Sequence, residues 1–360
     1  MSTVQLYAWG PALGAPSIDP KCVIIEAYLR LLNIEYTVVQ TNDPQASPTG
    51  ELPLIKDGNV WVAGVDRILT HFSMRNQDAN ASLTPEQRAV YLAYNAMIQE
   101  NLYDCMLYTW YADMTNFVKS IRPTYAKLLS FPGRYLVPVQ LKNSAKARLA
   151  KYNVEITSDD TTLPQNEKEE MKELQRTGWH HMYKLARETY ASLDAQLGSQ
   201  KYMFGDSPTT LDCIVFGYLA LHLYPDLPHG RLRHILTHEY PRLAEFCERF
   251  NAAYFSREHD VSTPAEDVPS LWKVLVNNPR GFFSNVKDDI VSYMGTDAPK
   301  EKSTAQIDFE RKRIWSIAGG VTCLLAYIIW NGIISVEFDG EQGDFESWDE
   351  YDQEEVDEEL

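Results

Sequence analysis

His234 and His238 stand four residues apart, a spacing that brings two imidazoles to one face of a helix and lets them share a metal ion. His222, His229 and Glu239 lie nearby in the chain. The order over residues 234–239 is His-Ile-Leu-Thr-His-Glu, not the His-Glu-x-x-His of a zinc protease, and a polar helix face accounts for it more simply. The five cysteines, Cys22, Cys105, Cys213, Cys247 and Cys323, are scattered, odd in number and without a CxxC pair. That pattern predicts reduced thiols facing the cytosol, with neither a disulfide framework nor a redox pair. The expected catalytic, metal and cofactor residues are therefore none.

Charge patterning is more informative. Between Asp113 and Glu155 the chain carries Lys119, Arg122, Lys127, Arg134, Lys142, Lys146, Arg148 and Lys151 and no acid, with Phe117, Tyr125, Phe131, Tyr135 and Leu136 interleaved. One reading is an irregular, solvated insertion between helices. The other is a contact surface for anionic headgroups or an acidic partner, carried by Arg134, Lys142, Lys146, Arg148 and Lys151. On the second reading, charge reversal at Lys142, Lys146 and Arg148 weakens assembly without unfolding the domain. The net charge of −17 gives nucleic-acid binding no compositional support.

Ile314 to Val336 is a run of 23 residues without a charge. As a helix it would span about 35 Å, enough for a hydrocarbon core of about 30 Å. Trp315, Tyr327 and Trp330 fall toward its ends, where amphipathic rings favour the headgroup level. Arg311, Lys312 and Arg313 abut its N-terminal side, and the 24 residues beyond it hold 13 acids and no Lys or Arg. Basic flanks favour the cytosolic side, so the expectation is a tail-anchored protein with residues 1–313 in the cytosol and the acidic tail across the membrane. The N-terminus has no secretory signal pattern.

The elements that must position these groups come in two styles. The first 75 residues alternate strand and helix. Val4 to Trp9 reads as a strand stopped by Gly10-Pro11, with Ser17 as N-cap of a helix whose Ile18, Cys22, Ile25, Leu29 and Leu32 share a face. Glu35 to Gln40 is a second strand, and Leu52–Ile55 with Val60–Val62 flank Asp57-Gly58, a hairpin signal. Gly64 to Arg75 returns to helix, with Val65, Ile68, Leu69 and Phe72 on one side. From Leu83 onward the pattern is helical. Thr84-Pro85-Glu86-Gln87 predicts a capping box, a second long helix runs from about Gln165 to Leu197, and Thr209 with Asp212 caps a buried helix through Leu223. Tyr240-Pro241 to Phe250 makes the last helix.

The β-α-β, β-β-α order, with Pro53 entering the third strand, is the plan of a thioredoxin-like domain, which places a cis proline there. Followed by helices with Gly-Asp-x-Pro-Thr-x-x-Asp at 205–212, the chain resembles the glutathione transferase fold. Leu6-Tyr7-Ala8-Trp9-Gly10-Pro11, Pro16-Ser17-Ile18-Asp19, Ser47-Pro48-Thr49-Gly50-Glu51-Leu52-Pro53 and Trp61-Val62-Ala63-Gly64 are similar to motifs of the metaxin family. Within it they most resemble the fungal metaxin-like subunit of the mitochondrial sorting and assembly machinery. The resemblance covers about residues 4–252.

That resemblance implies an α+β, glutathione-transferase-like fold: a thioredoxin-like domain over 1–78 and an all-helical domain over 83–255. The chain itself adds a linker over 256–313, a transmembrane helix over 314–336 and an acidic, disordered tail over 337–360. The implied function is that of a non-enzymatic subunit of the mitochondrial outer membrane that needs no cofactor. It helps insert β-barrel precursors beside a β-barrel core subunit and a second metaxin-like subunit. A tail-anchored transferase is the alternative, yet the loop over residues 10–16 offers no hydroxyl or thiol, and only Asp66 stands near the expected acid-hydroxyl pair. A generic membrane tether is the third reading.

Overall fold

The computed structural model describes residues 3–42, 52–129, 133–154, 156, 178–256 and 261–262. The apolar run 314–336, its flank Arg311, Lys312 and Arg313, the acidic tail and the first part of the helix expected from Gln165 lie outside them. Strand β1 (Val4–Ala8) pairs in parallel with β2 (Tyr36–Gln40) across helix α1 (Pro20–Leu31). On its other side β1 pairs antiparallel with β3 (Leu54–Asp57), which forms a hairpin with β4 (Val60–Ala63) and leads into α2 (Val65–Ser73). Gly58 takes the positive φ of 60° that the two-residue turn requires. The Leu52–Pro53 peptide bond is cis, as the thioredoxin-like plan places it.

Three expectations change here. The cap of α1 is Asp19, not Ser17: Pro20 fixes the first helical position and holds Asp19 extended, so its carboxylate accepts from the Cys22 N–H at 3.1 Å. The hydroxyl of Ser17 instead accepts from the Asp19 N–H. Residues 256–313, read as linker, contribute β5 (Val261–Ser262), which adds to the free edge of β2 in an order β4-β3-β1-β2-β5. The segment after Asp113 is helical rather than irregular, as described below.

The helical part opens at α3 (Pro85–Met97), where Thr84 and Gln87 form the expected reciprocal cap. The chain continues through a π-helical turn (Ile98–Leu102), α4 (Tyr103–Leu107) and a second π turn (Tyr108–Ala112). A short α5 (Met114–Asn116) and a third π turn (Phe117–Ile121) lead into α6 (Arg122–Leu128) and α7 (Gly133–Leu149). Then follow α8 (Trp179–Leu197), α9 (Thr210–Leu223), α10 (Arg231–Glu239) and α11 (Pro241–Tyr254).

Helix α9 is buried along its whole length and packs on α1. The approach is close because Gly217 has no side chain: a Cβ there would lie 2.4 Å from Cγ1 of Ile24 and 3.0 Å from the Pro20 carbonyl oxygen. Two of the buried polar groups on α9, Asp212 and His222, find partners inside the protein. Asp212 accepts from the Met203 N–H at 2.8 Å and from the Thr209 N–H and hydroxyl at 2.8 and 2.9 Å. His222 lies between the Leu102 carbonyl, 3.0 Å from Nε2, and the Tyr190 hydroxyl, 2.5 Å from Nδ1. A carbonyl only accepts, so Nε2 carries a proton; burial keeps the ring otherwise uncharged, so Nδ1 accepts from the Tyr190 hydroxyl.

Burial pushes the His222 pKa down from 6.5 to about 3, against the Leu102 carbonyl, which favours the protonated ring. The unfolded chain therefore binds a proton that the native chain refuses. Its contribution to stability is fully present above about pH 6.5 and is lost as pH falls toward 3. Asp212, pushed by burial from 3.8 up to about 6, acts in the opposite sense between those values. The difference between the native chain and His222→Gln isolates the histidine. In urea unfolding, the native chain should lose stability relative to the variant by about 1.4 kcal/mol per pH unit as pH is lowered below the histidine's unfolded pKa. Gly217→Ala should lower unfolding stability by about 1–3 kcal/mol, because backbone and Ile24 must move apart.

Candidate functional site

The loop after β1 is held by backbone, not by reactive groups. The Gly10 N–H donates to Asn42 Oδ1 at 2.7 Å, Ile18 N–H to the Gly10 carbonyl, and residues 12 and 15 form a two-way bridge. Tyr7 is buried in the sheet, its hydroxyl on Gln5 and its ring 5.3 Å from that of Trp61. Ser17 is buried beside Asp19. Burial and the nearby Asp19 carboxylate push the Cys22 thiol well above its ordinary pKa, so it is held protonated. Cys105, Cys213 and Cys247 are likewise buried, unpaired with one another and shifted upward by burial. A thiol held neutral is a poor nucleophile and a poor metal ligand.

Between α1, α2 and the helical layer lies a cavity of about 270 Å³, lined by Lys21, Ile24, Gly64, Val65, Asp66, Arg67, Gln99 and Tyr218. Asp66 sits in the first turn of α2, which Gly64 opens at φ 86° without a side-chain cap. Burial, with Tyr103, Asp19 and Asp66 nearby, pushes the Tyr218 hydroxyl far above its usual pKa and keeps it protonated. The lining offers charges of both signs and includes no Ser, Thr, Cys or His. Of its members the sequence singled out only Gly64, Val65 and Asp66; Lys21, Gln99 and Tyr218 are brought in by packing between distant segments.

The histidines do not converge. His234 and His238 do stack, with ring centroids 4.1 Å apart, but His238 Nδ1 lies 3.0 Å from the His234 carbonyl and 2.9 Å from the Thr237 hydroxyl. Arg187 holds Glu239 in a bidentate pair at 2.7–3.0 Å. His229 Nδ1 is 2.7 Å from Asp113, and His222 is buried on α9. Among the described residues no group of three or more His, Cys, Asp or Glu could hold a metal ion.

The basic segment divides. Arg148 and Lys151 both turn onto Asp104, which is fully buried. Lys151 Nζ lies 2.8 Å and the Tyr152 hydroxyl 2.9 Å from Oδ2, while Arg148 Nε bonds Oδ1. Glu100 adds a second carboxylate, 3.0 Å from Arg148 and also paired with Lys151. Exposure favours an ordinary lysine less than this cluster does: against a burial penalty that lowers it, the bonds to Asp104 and Glu100 push the Lys151 pKa up. Lys142 is 4 % exposed, with its ammonium 4.8 Å from the Phe117 ring centroid. Arg134 and Lys146 are exposed on α7. Of the five expected contact residues, three therefore fasten α7 to the rest of the helical layer.

Charge reversal at those three should unfold rather than merely uncouple. Arg148→Glu leaves Asp104 buried beside a like charge and should lower unfolding stability by about 3 kcal/mol or more. Arg134→Glu should change it by no more than about 0.5 kcal/mol. Denaturant titration of both variants checks the division.

The family profile described as outer mitochondrial membrane transport complex protein matches residues 22–142, and that of the glutathione S-transferase C-terminal domain matches 186–250. Mouse (Mus musculus) metaxin-1 is 29% identical over 337 residues, covering 93% of this chain and 92% of its own. Metaxin-3 of Xenopus laevis is 29% identical over 262 residues, covering 73% of this chain and 80% of its own. Among solved structures, a glutathione S-transferase of Ceriporiopsis subvermispora in complex with glutathione aligns with TM-score 0.48 and 14% identity, over 72% of this chain and 100% of the other.

Proposed function

We propose that this chain, a member of the metaxin family with a glutathione-transferase-like fold, works in the protein import and sorting machinery of the mitochondrial outer membrane as a non-catalytic subunit that supports insertion and release of β-barrel precursors. The observation that carries this reading is the similarity to metaxin-1 along 93% of the chain. The absence of an activated nucleophile around the loop over residues 10–16 agrees with it, since fold alone carries no chemistry.

On this reading residues 1–78 and 83–255 form the two domains of a cytosolic body. Ile314–Val336 anchors it, and Arg311, Lys312 and Arg313 keep the body on the cytosolic side. Its partners are a β-barrel core subunit, a second metaxin-like subunit, the precursors themselves and outer-membrane lipid, with no cofactor. The cytosolic body contributes rigid surface rather than chemistry.

Affinity purification of the tagged full-length chain from fractionated cell membranes in mild detergent tests the proposal. Recovery of a β-barrel core protein together with a second metaxin-like subunit is the expected result. A chain that emerges alone, or from another organelle, overturns it. Calorimetric titration of the same purified chain with glutathione should register no binding heat; saturable binding would instead favour a transferase-like role for the cavity at Asp66.

A further inference from the structure

The opening turn of α7 presents two large apolar side chains to solvent: Tyr135 is 68% and Leu136 56% exposed. Arg134 precedes them, and the end of α6, which carries Lys127, adjoins the start of α7: a Cβ at Gly133 would lie 3.8 Å from the Leu129 side chain. Arg134 and Lys127 are both exposed. No Asp or Glu occurs anywhere from residue 114 to 154, so nothing in this segment neutralises the pair. Whereas Arg148 and Lys151 turn inward onto Asp104, Arg134 stays at the surface next to Tyr135 and Leu136 in the chain, and Lys127 is exposed on the adjoining helix α6.

We infer that this corner of the helical layer is a membrane-surface anchor, in which Leu136 enters the acyl boundary, Tyr135 sits at headgroup level, and Arg134 and Lys127 meet anionic phosphates. The inference rests on the membrane-tethered reading above and says which face of the body meets the bilayer. Amphipathic rings and long cationic stems divide themselves between apolar and polar layers in this way. A protein partner is the weaker fit. A stable interface takes about 800 Å² from each side with an apolar core, far more than two adjacent side chains provide. The requirement for cations beside a short apolar insertion is met by headgroups instead.

The test uses the full-length chain with Cys323→Ser and Leu136→Cys, labelled with nitrobenzoxadiazole. The four buried cysteines are shielded, and Leu92→Cys, exposed on α3, serves as a second label site. The chains are reconstituted into vesicles of phosphatidylcholine alone or with phosphatidylserine. The expected result is a blue-shifted emission at position 136, quenched by lipid-borne quenchers, that grows with the anionic lipid and is absent at position 92. Reversing Lys127 and Arg134 to Glu should weaken the response by about fivefold or more for each cation, with helicity unchanged. A water-like label at 136 in a chain that still floats with the vesicles overturns the anchor and leaves the tether standing. A chain that does not float overturns both. Equal shifts at both positions mean general adsorption. A shift seen only in membranes that carry assembly subunits makes the corner a protein contact; each of these overturns the lipid assignment.

Discussion

The close crossing of α1 and α9 is the contact on which the rest of the architecture depends. It joins the sheet layer to the helices, and it exists because Gly217 presents no Cβ to Ile24 and the Pro20 carbonyl. A helix buried all round, as α9 is, has no solvated face on which to place polar groups. Each polar group it carries must therefore find a partner inside the protein. Asp212 binds back to Met203 and Thr209, and His222 bridges Tyr190 and Leu102. The two titratable groups pay opposite electrostatic consequences for the same burial, one acid shifted up and one base shifted down.

Around that crossing, the elements that the sequence makes legible are those with local causes. The Thr84–Gln87 and Thr209–Asp212 caps, the Gly58 hairpin and the helix after Gly64 each depend on a few consecutive residues, and each is present. The cap of α1 is misread at Ser17 because the decisive residue, Pro20, acts through the backbone of its predecessor. Strand β5 has two residues, too few for any period to register. The one-face reading of α1 also understates its burial: Val23, Ile24, Ala27 and Tyr28 are covered too, because a second layer lies on the side that a periodicity argument leaves to solvent.

The basic segment shows where composition stops being informative. Its cations are concentrated after Asp113, and that boundary hides Asp104 and Glu100, which lie 44 to 51 residues before the side chains they neutralise. A run of like charge in sequence is therefore not a patch of like charge in space. The cavity beside Asp66 has the same lesson in reverse: Lys21, Gln99 and Tyr218 are unremarkable one by one and meet only through packing between distant segments.

A fold and a chemistry are separable because they rest on different residues. The layer contact, the helix caps and the buried polar pairs are all interior, and they hold the glutathione-transferase-like frame whatever stands at the loop after β1. That loop, residues 10–16, is held by backbone bonds and a bridge between residues 12 and 15, and it carries no hydroxyl or thiol. Of the net −17, the tail supplies −13, leaving −4 for the remaining residues. At physiological salt, screening acts over about 8 Å, so a surface so nearly balanced is read by its neighbours corner by corner rather than as a single field.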